Sequence, residues 1–584
     1  MRRGFGLVLT ILFLAVLISA SGIVMLYLMV GREPAVAANS VLVLRVEGDL
    51  AEGASDSLFD SFMTSRQPSL RSLIDNLRKA KVDRRVTSVI VTPVNLSSAY
   101  WARLQELRDA IADFRTSGKK AYAYLEYGGD REYFLATVCD RIYLMPTSPL
   151  DLTGLASYAL FLRGTLDAIG AYPDYLHIGA YKTAPNQYTE KTFTPAHREM
   201  SESLNRDFFT QMVEGIASGR KKTADQVRAL IDEGPFLAED AVQAGLVDDL
   251  AYEDQIDAKL QPSGGKVTRI KSDSYARVSG SSAGIGSGPR IVVINAIGII
   301  NSGRSGIDPL NGAVAGSDTL VEYIRKARND AAVKAIVLRI DSPGGSTIAS
   351  DVIWRELSLA ATGKPARPLV ASMSDLAASG GYYIAMAAPD IVAEPGTLTG
   401  SIGIYGGKIV TGGTYEKLGM KIEAVSAGKH AEMNSPVRPF NDAERAKMEG
   451  QLKAFYDQFV EKVARARHMK PEAVDAIAQG RVWTGRQAKA IGLVDVLGGL
   501  DRAVALAKER ARIPAGSSVE LVIYPPKRTP WDILSDSFTG MDQQAGLLAL
   551  VGIRDRRAVG AVTAPLRLFR RGEPLALMPF GYLR

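Results

Sequence analysis

The feature that most restricts what this chain can fold into is that it is written twice. "FLAEDAVQAGLVDDL" (236–250) returns as "WTGRQAKAIGLVDVL" (483–497), and "SVLVLRVEGDLAEG" (40–53) as "RIVVINAIGIINSG" (290–303). Between them "VTSVIVTPVNLSSAYWARLQEL" (86–107) parallels "VKAIVLRIDSPGGSTIASDVIWREL" (333–357), and "TLDAIGAYPDYLHIGAYK" (165–182) aligns without gaps on "TYEKLGMKIEAVSAGKHA" (414–431). Self-similarity of this kind marks a tandem duplication. At 584 residues the chain also exceeds what one hydrophobic core serves, so two large domains follow. Each copy alternates β-branched apolar runs with helical stretches, which predicts an α/β fold with mainly parallel sheet. The segment 262–289, rich in Gly, Ser and charge, reads as an exposed linker. The expected organisation is an N-terminal segment 1–39, a first domain 40–261, the linker 262–289, a second domain 290–524 and an extension 525–584.

The copies differ where chemistry could reside. "LEYGGDREYFLATVCDR" (125–141) matches "SMSDLAASGGYYIAMAAPD" (372–390), but Asp130 faces Ser379. In the second copy the strand "AIVLRI" (335–340) runs into "DSPGGS" and a helix from about Ser346. Pro343 fixes one backbone angle, while Gly344 and Gly345 permit positive φ, so that backbone N–H groups can point at an anion. Such an arrangement can form an oxyanion hole. An ordinary capped turn would use the same residues, but the first copy makes this connection as "TPVNLSSA" with no glycine.

Ser379 is expected as an exposed hydroxyl between a strand ending near Met373 and a helix beginning about Gly380. The N–H of Gly380 would be a second oxyanion donor; an N-cap serine is the structural alternative. A serine nucleophile needs a base. The four histidines, His177, His197, His430 and His468, lie in no Ser-His-Asp setting. A lysine kept neutral by burial is the other option. Lys182 faces Ala431 across the repeat, as Ser379 faces Asp130, whereas Lys429 lies two positions out of register. If one copy supplies the nucleophile and the other the base, the site lies where the halves meet.

The ends of the chain speak to location. Arg2 and Arg3 precede 28 uncharged residues, Gly4 to Gly31. As a helix this run is about 40 Å long, more than a ~30 Å hydrocarbon core requires. A retained signal anchor is expected, with the N-terminus cytoplasmic and the domains on the far side; "SAS" (19–21) would otherwise serve as a cleavage site. The excess of 70 Lys and Arg over 63 Asp and Glu is mild and spread out, which argues against nucleic acid. A lone cysteine, Cys139, excludes an intramolecular disulfide.

Taken together, "GAYKTA", "VLRIDSPGGS", "MSDLAASGGYYIA", "TLTGSIGI" and "GRVWTGRQAKAIGLVD" resemble the S49 serine protease family, in the long, duplicated form of its membrane-anchored signal peptide peptidases. The resemblance implies ClpP/crotonase-like domains, with Ser379 as nucleophile and Lys182 as general base. It implies that Ser401 hydrogen-bonds the lysine amine, and that Gly380 with Gly345 or Gly344 forms the oxyanion hole. No metal or cofactor is implied. The implied activity is endoproteolysis of hydrophobic peptides, notably signal-peptide remnants, by a homotetrameric ring at the bacterial inner membrane, with catalytic domains on its periplasmic side. Two other classes remain: a crotonase-like acyl-CoA enzyme, which would need neither Ser379 nor Lys182, and a non-catalytic membrane scaffold descended from a protease.

Overall fold

The computed structural model describes residues 33–52, 68–97, 100–260, 267–308, 312–526, 574–578 and 582–583, together with Phe13, Leu14, Leu17, Ser21 and Gly22. The expected anchor, apart from those five helical residues, and most of the extension lie outside the described residues. Among the described residues no helix is long and apolar enough to cross a membrane.

Each copy forms its own α/β layer. In the first, six parallel strands run in the order Thr268–Lys271, Ser40–Gly48, Val86–Leu96, Lys120–Leu125, Arg141–Leu144 and Asp249–Leu250. The second repeats the core of this order with Glu520–Tyr524, Arg290–Ile297, Val333–Ser342, Leu369–Ala378 and Asp390–Ala393, all parallel. Strands covered on both faces should be apolar throughout, and Val333–Ser342 is buried at nine of its ten positions.

The duplication extends to single contacts. Tyr133 donates to the Leu246 carbonyl (2.8 Å) as Tyr382 does to that of Leu493 (2.9 Å). Arg220 pairs with Asp248 as Arg467 pairs with Asp495. Two 26-residue helices, Pro195–Arg220 and Asp442–Arg467, both end on a left-handed residue, Lys221 and His468.

The segment 262–289 is not an exposed linker throughout. Thr268–Lys271 is the edge strand of the first sheet, and Ser272 and Tyr275 are buried beneath it. An edge strand has one wet side, so the charges of "TRIK" suit it as well as they suit a linker. Glu520–Tyr524 edges the second sheet in the same way.

A third, mixed sheet joins the copies. Its order is Gly306–Asp308, Gly312–Gly316, Ile299–Asn301, Gly344–Ser346, Leu575–Leu577, Ile404–Val410 and Tyr172–Ile178. The last two belong to opposite copies and pair antiparallel over seven residues, from Ile404 opposite Ile178 to Val410 opposite Tyr172. Buried ion pairs cross the same seam. Arg339 of the second copy meets Glu52 and Glu106 of the first, and Arg103 of the first meets Asp341 and Asp375 of the second.

Candidate active site

Ser379 terminates a strand that runs to Ala378, five residues beyond the expected end, and precedes the helix Gly380–Ala385. Its backbone has φ +55° and ψ −113°, a region that costs a residue with a Cβ roughly 1–3 kcal/mol. The hydroxyl caps nothing. Contrary to the expectation of an exposed serine, Ser379 is completely buried, because the opposite copy covers it.

That cover is Lys182, also completely buried. It follows the seam strand Tyr172–Ile178, which carries the lysine of the first copy over the serine of the second. Lys182 Nζ lies 2.8 Å from Ser379 Oγ and 3.1 Å from both the carbonyl oxygen and Oγ of Ser401. Burial holds the amine well below the ordinary lysine range. Neutrality also fits the partners. An amine has two N–H groups for the two Ser401 oxygens and a lone pair for the serine hydroxyl, whereas an ammonium has no acceptor to offer. Ser401, like Ser379, has positive φ (+51°) and is fully buried.

The segment 479–481 clamps this trio and escaped the sequence reading. The Gln479 carbonyl accepts from Tyr181 N–H (2.8 Å), Gly480 N–H donates to the Ile402 carbonyl (2.7 Å), and the Arg481 carbonyl accepts from Ser401 N–H (2.7 Å). Arg481 is itself held by Glu199 of the first copy at 2.8 Å. The motif "GRVWTG" (480–485) stands among those that carry the family resemblance, but nothing in it ties residues 479–481 to Lys182 or Ser401.

The glycine turn lies beside the serine. Ser346 caps the helix Thr347–Thr362 by accepting from Ala349 N–H (3.0 Å). Gly344 has φ +102°, a conformation open to glycine. A Cβ built on Gly344 would come within 2.7 Å of Gly380 N, so the two glycine backbones are in close proximity. Gly344 N–H donates to Ser342 Oγ (3.1 Å).

The remaining sequence candidates lie elsewhere. Asp130 accepts from the N–H groups of Thr153 (3.1 Å) and Gly154 (3.2 Å), and burial pushes its carboxyl up to about 6. Lys429 is exposed. Burial lowers His177, whose Nδ1 faces the Gly179 carbonyl, and holds His197 at about 4. Among the described residues no histidine is hydrogen-bonded to Ser379, and no cluster of His, Cys, Asp and Glu could hold a metal ion.

Comparison with known proteins matches "Peptidase family S49" twice, at residues 113–265 and 361–514. The chain is 35% identical to "Serine protease SPPA, chloroplastic" of Arabidopsis thaliana, over 86% of this chain and 74% of that protein. It is 35% identical to "Protease 4" of Salmonella typhi over 81% and 77% of the two chains, and 29% identical to "Protease 4" of Haemophilus influenzae over 82% and 80%.

Proposed function

The chain is a serine protease of peptidase family S49, built from two tandem copies, and from that premise we propose that it is a membrane-anchored endopeptidase that uses Ser379 and Lys182 to cleave hydrophobic peptides, signal-peptide remnants among them. The observation that carries the dyad is the 2.8 Å approach of a fully buried lysine from one copy to a fully buried serine from the other. As Ser379 Oγ attacks a peptide carbonyl, Lys182 Nζ takes its proton. Ser401 steadies the amine through both its oxygens. The ammonium then protonates the departing amine, and water, deprotonated by the regenerated lysine, releases the acyl group from the serine. Gly380 N–H and Gly345 N–H stabilise the oxyanion. Gly345 is preferred over Gly344, whose N–H is directed to Ser342 Oγ. Nothing in this chemistry calls for a metal or cofactor.

An apolar substrate suits the cleft walls. Ala184, two residues beyond Lys182, packs with Tyr405 and partly buried Tyr175 in an apolar cluster that also takes in Leu575 and Leu577. The uncharged run after Arg2 and Arg3 supports an anchor with the domains on the extracytoplasmic side.

Assembly is supported by a strand counterpart left uncovered. Tyr172–Ile178 is covered by Ile404–Val410, but its repeat in the second copy, 421–427, exposes Ile422 and Val425, next to exposed Met420. The matching cover in the first copy, 155–161, likewise exposes the side chains of Tyr158 and Leu160, although Ser157–Tyr158 is itself paired with Tyr582–Leu583. Head-to-tail joining of chains through these two surfaces, with Tyr582–Leu583 giving way at Ser157–Tyr158, forms a ring when the rotation between neighbours closes. We assign four chains to it, as the family resemblance implies.

The test of the dyad is labelling with a fluorophosphonate. The adduct should map to Ser379 and vanish in Ser379→Ala. An adduct on another serine, or peptide hydrolysis that persists in Ser379→Ala, would overturn the assignment.

A further inference from the structure

Residues 574–578, "PLALM", lie where a peptide substrate would have to lie. Leu575–Leu577 is inserted as a strand between Gly344–Ser346 and Ile404–Val410, antiparallel to both. Its register sets Leu577 opposite Gly344, Ala576 opposite Gly345 and Leu575 opposite Ser346, with Leu575 also opposite Tyr405. Two further bonds fix the ends: Thr347 Oγ1 donates to the Pro574 carbonyl (2.9 Å), and Met578 N–H to that of Pro343 (2.8 Å). The Ala576 carbonyl oxygen and Gly380 N both approach the point where a Gly344 side chain would begin. A backbone carbonyl therefore occupies the neighbourhood of the two proposed oxyanion donors.

The side chains alternate as a strand requires. Leu575 and Leu577 pack together against Ala184 and Tyr405, while Ala576 turns into the core of the second copy. All four residues from Leu575 to Met578 are at most 3% exposed, so this strand is docked rather than draped. Further on, Tyr582–Leu583 pairs antiparallel with Ser157–Tyr158 of the first copy, a second attachment.

We infer that residues 574–578 are a built-in ligand of the substrate groove, which competes with incoming peptide and must leave before Ser379 can act. This rests on the assignment of Ser379 as nucleophile. Backbone pairing to strands on both sides is how sheets recruit extended peptides. Here the chain supplies the strand itself, with large aliphatic residues on one face and a small one on the other. A substrate must displace it, so the apparent affinity falls by the fraction of time the groove is free. If the strand is docked nine-tenths of the time, the apparent KM is about tenfold higher than that of the open groove.

The test uses the full chain and an apolar fluorogenic peptide. Ala576→Glu places a charge where no space or solvent exists and should expel the strand. Leu575→Asp/Leu577→Asp attacks the opposite face and should do the same. Both variants are expected to lower KM about tenfold with little change in kcat, and free PLALM peptide should raise KM again in either. Unchanged KM in both variants, with hydrolysis still abolished by Ser379→Ala, overturns the built-in ligand and leaves the nucleophile standing. Hydrolysis that survives Ser379→Ala removes the nucleophile instead. Loss of activity in both strand variants would make the strand a structural part of the site and overturn the inference as well.

Discussion

Replacing Gly480 by alanine probes whether the seam between the copies sets the position of the lysine. Gly480 has φ +77°, and a methyl group there would lie 2.5 Å from both the N and Cα of Lys182 and 2.6 Å from its Cβ. Carbon atoms rest at about 3.5 Å or more, so the two backbones must part by about 1 Å. The lysine cannot absorb this by changing rotamer, because the collision is with its main chain. A misplacement of about 1 Å in a reacting group can cost about 100-fold in rate. The left-handed backbone adds roughly 1–2 kcal/mol of strain to the folded state. Steady-state hydrolysis of an apolar peptide, with a urea midpoint measured in parallel, reads both. The expected result is kcat down about 100-fold, KM nearly unchanged and a modest loss of stability, since residue 480 belongs to neither strand of the groove. Gly480→Ala with the parental kcat would refute the idea that the 479–481 segment holds the lysine in place.

Other outcomes follow from the same contacts. Ser379→Ala and Lys182→Met should each abolish hydrolysis while the fold persists, and the double variant should be no worse, because nucleophile and base act as a unit; additive losses would contradict the dyad. Lys429→Ala should leave kcat/KM unchanged, since that lysine is exposed and out of register; a large loss would mean that the repeat is misaligned. Arg103→Met strands two buried carboxyls, Asp341 and Asp375, and should cost about 3–5 kcal/mol in urea unfolding at neutral pH. Burial already raises Asp375 to about 7, above its unfolded value. Its proton therefore supports the fold below pH ~3.9, and that support is lost as pH rises through about 7, further still without the arginine. The Arg103→Met deficit should accordingly shrink on acidification; a small, pH-independent deficit would show that the pair does not bind the halves.

Much of this site was legible because the duplication supplies an internal control. Comparing the copies showed that Asp130 and Ala431 stand where the other copy has Ser379 or Lys182, and the structure brings those two side chains into contact. What stayed hidden was long-range. The Ser401 contact entered through family resemblance, since no periodicity ties residue 401 to residue 182. Arg103 and Arg339 sit in ordinary helix and strand patterns, and only the docking of the halves reveals that Arg339 is buried and that both arginines pair with carboxylates of the other copy. The burial of Ser379 was misjudged for the same reason: Lys182, which packs on its hydroxyl, comes from the other copy. Thr268–Lys271 was mistaken for linker because an edge strand half open to water carries a linker's charges. The docking of "PLALM" follows from a gap between two strands more than 160 residues upstream, which composition cannot indicate.

The central claim is that a neutral lysine from one copy activates the serine of the other, and the pH dependence of Ser379 acylation tests it most directly. The ammonium form cannot accept a proton, and burial lowers the Lys182 pKa well below the usual lysine range. The rate of fluorophosphonate labelling at Ser379 should therefore rise with pH through a single midpoint below the ~10.4 of a free lysine, and Lys182→Met should abolish that rise. Replacing any of the four histidines should leave the midpoint in place. A midpoint near 6.5 that disappears with one histidine, or a pH profile retained in Lys182→Met, would contradict the account.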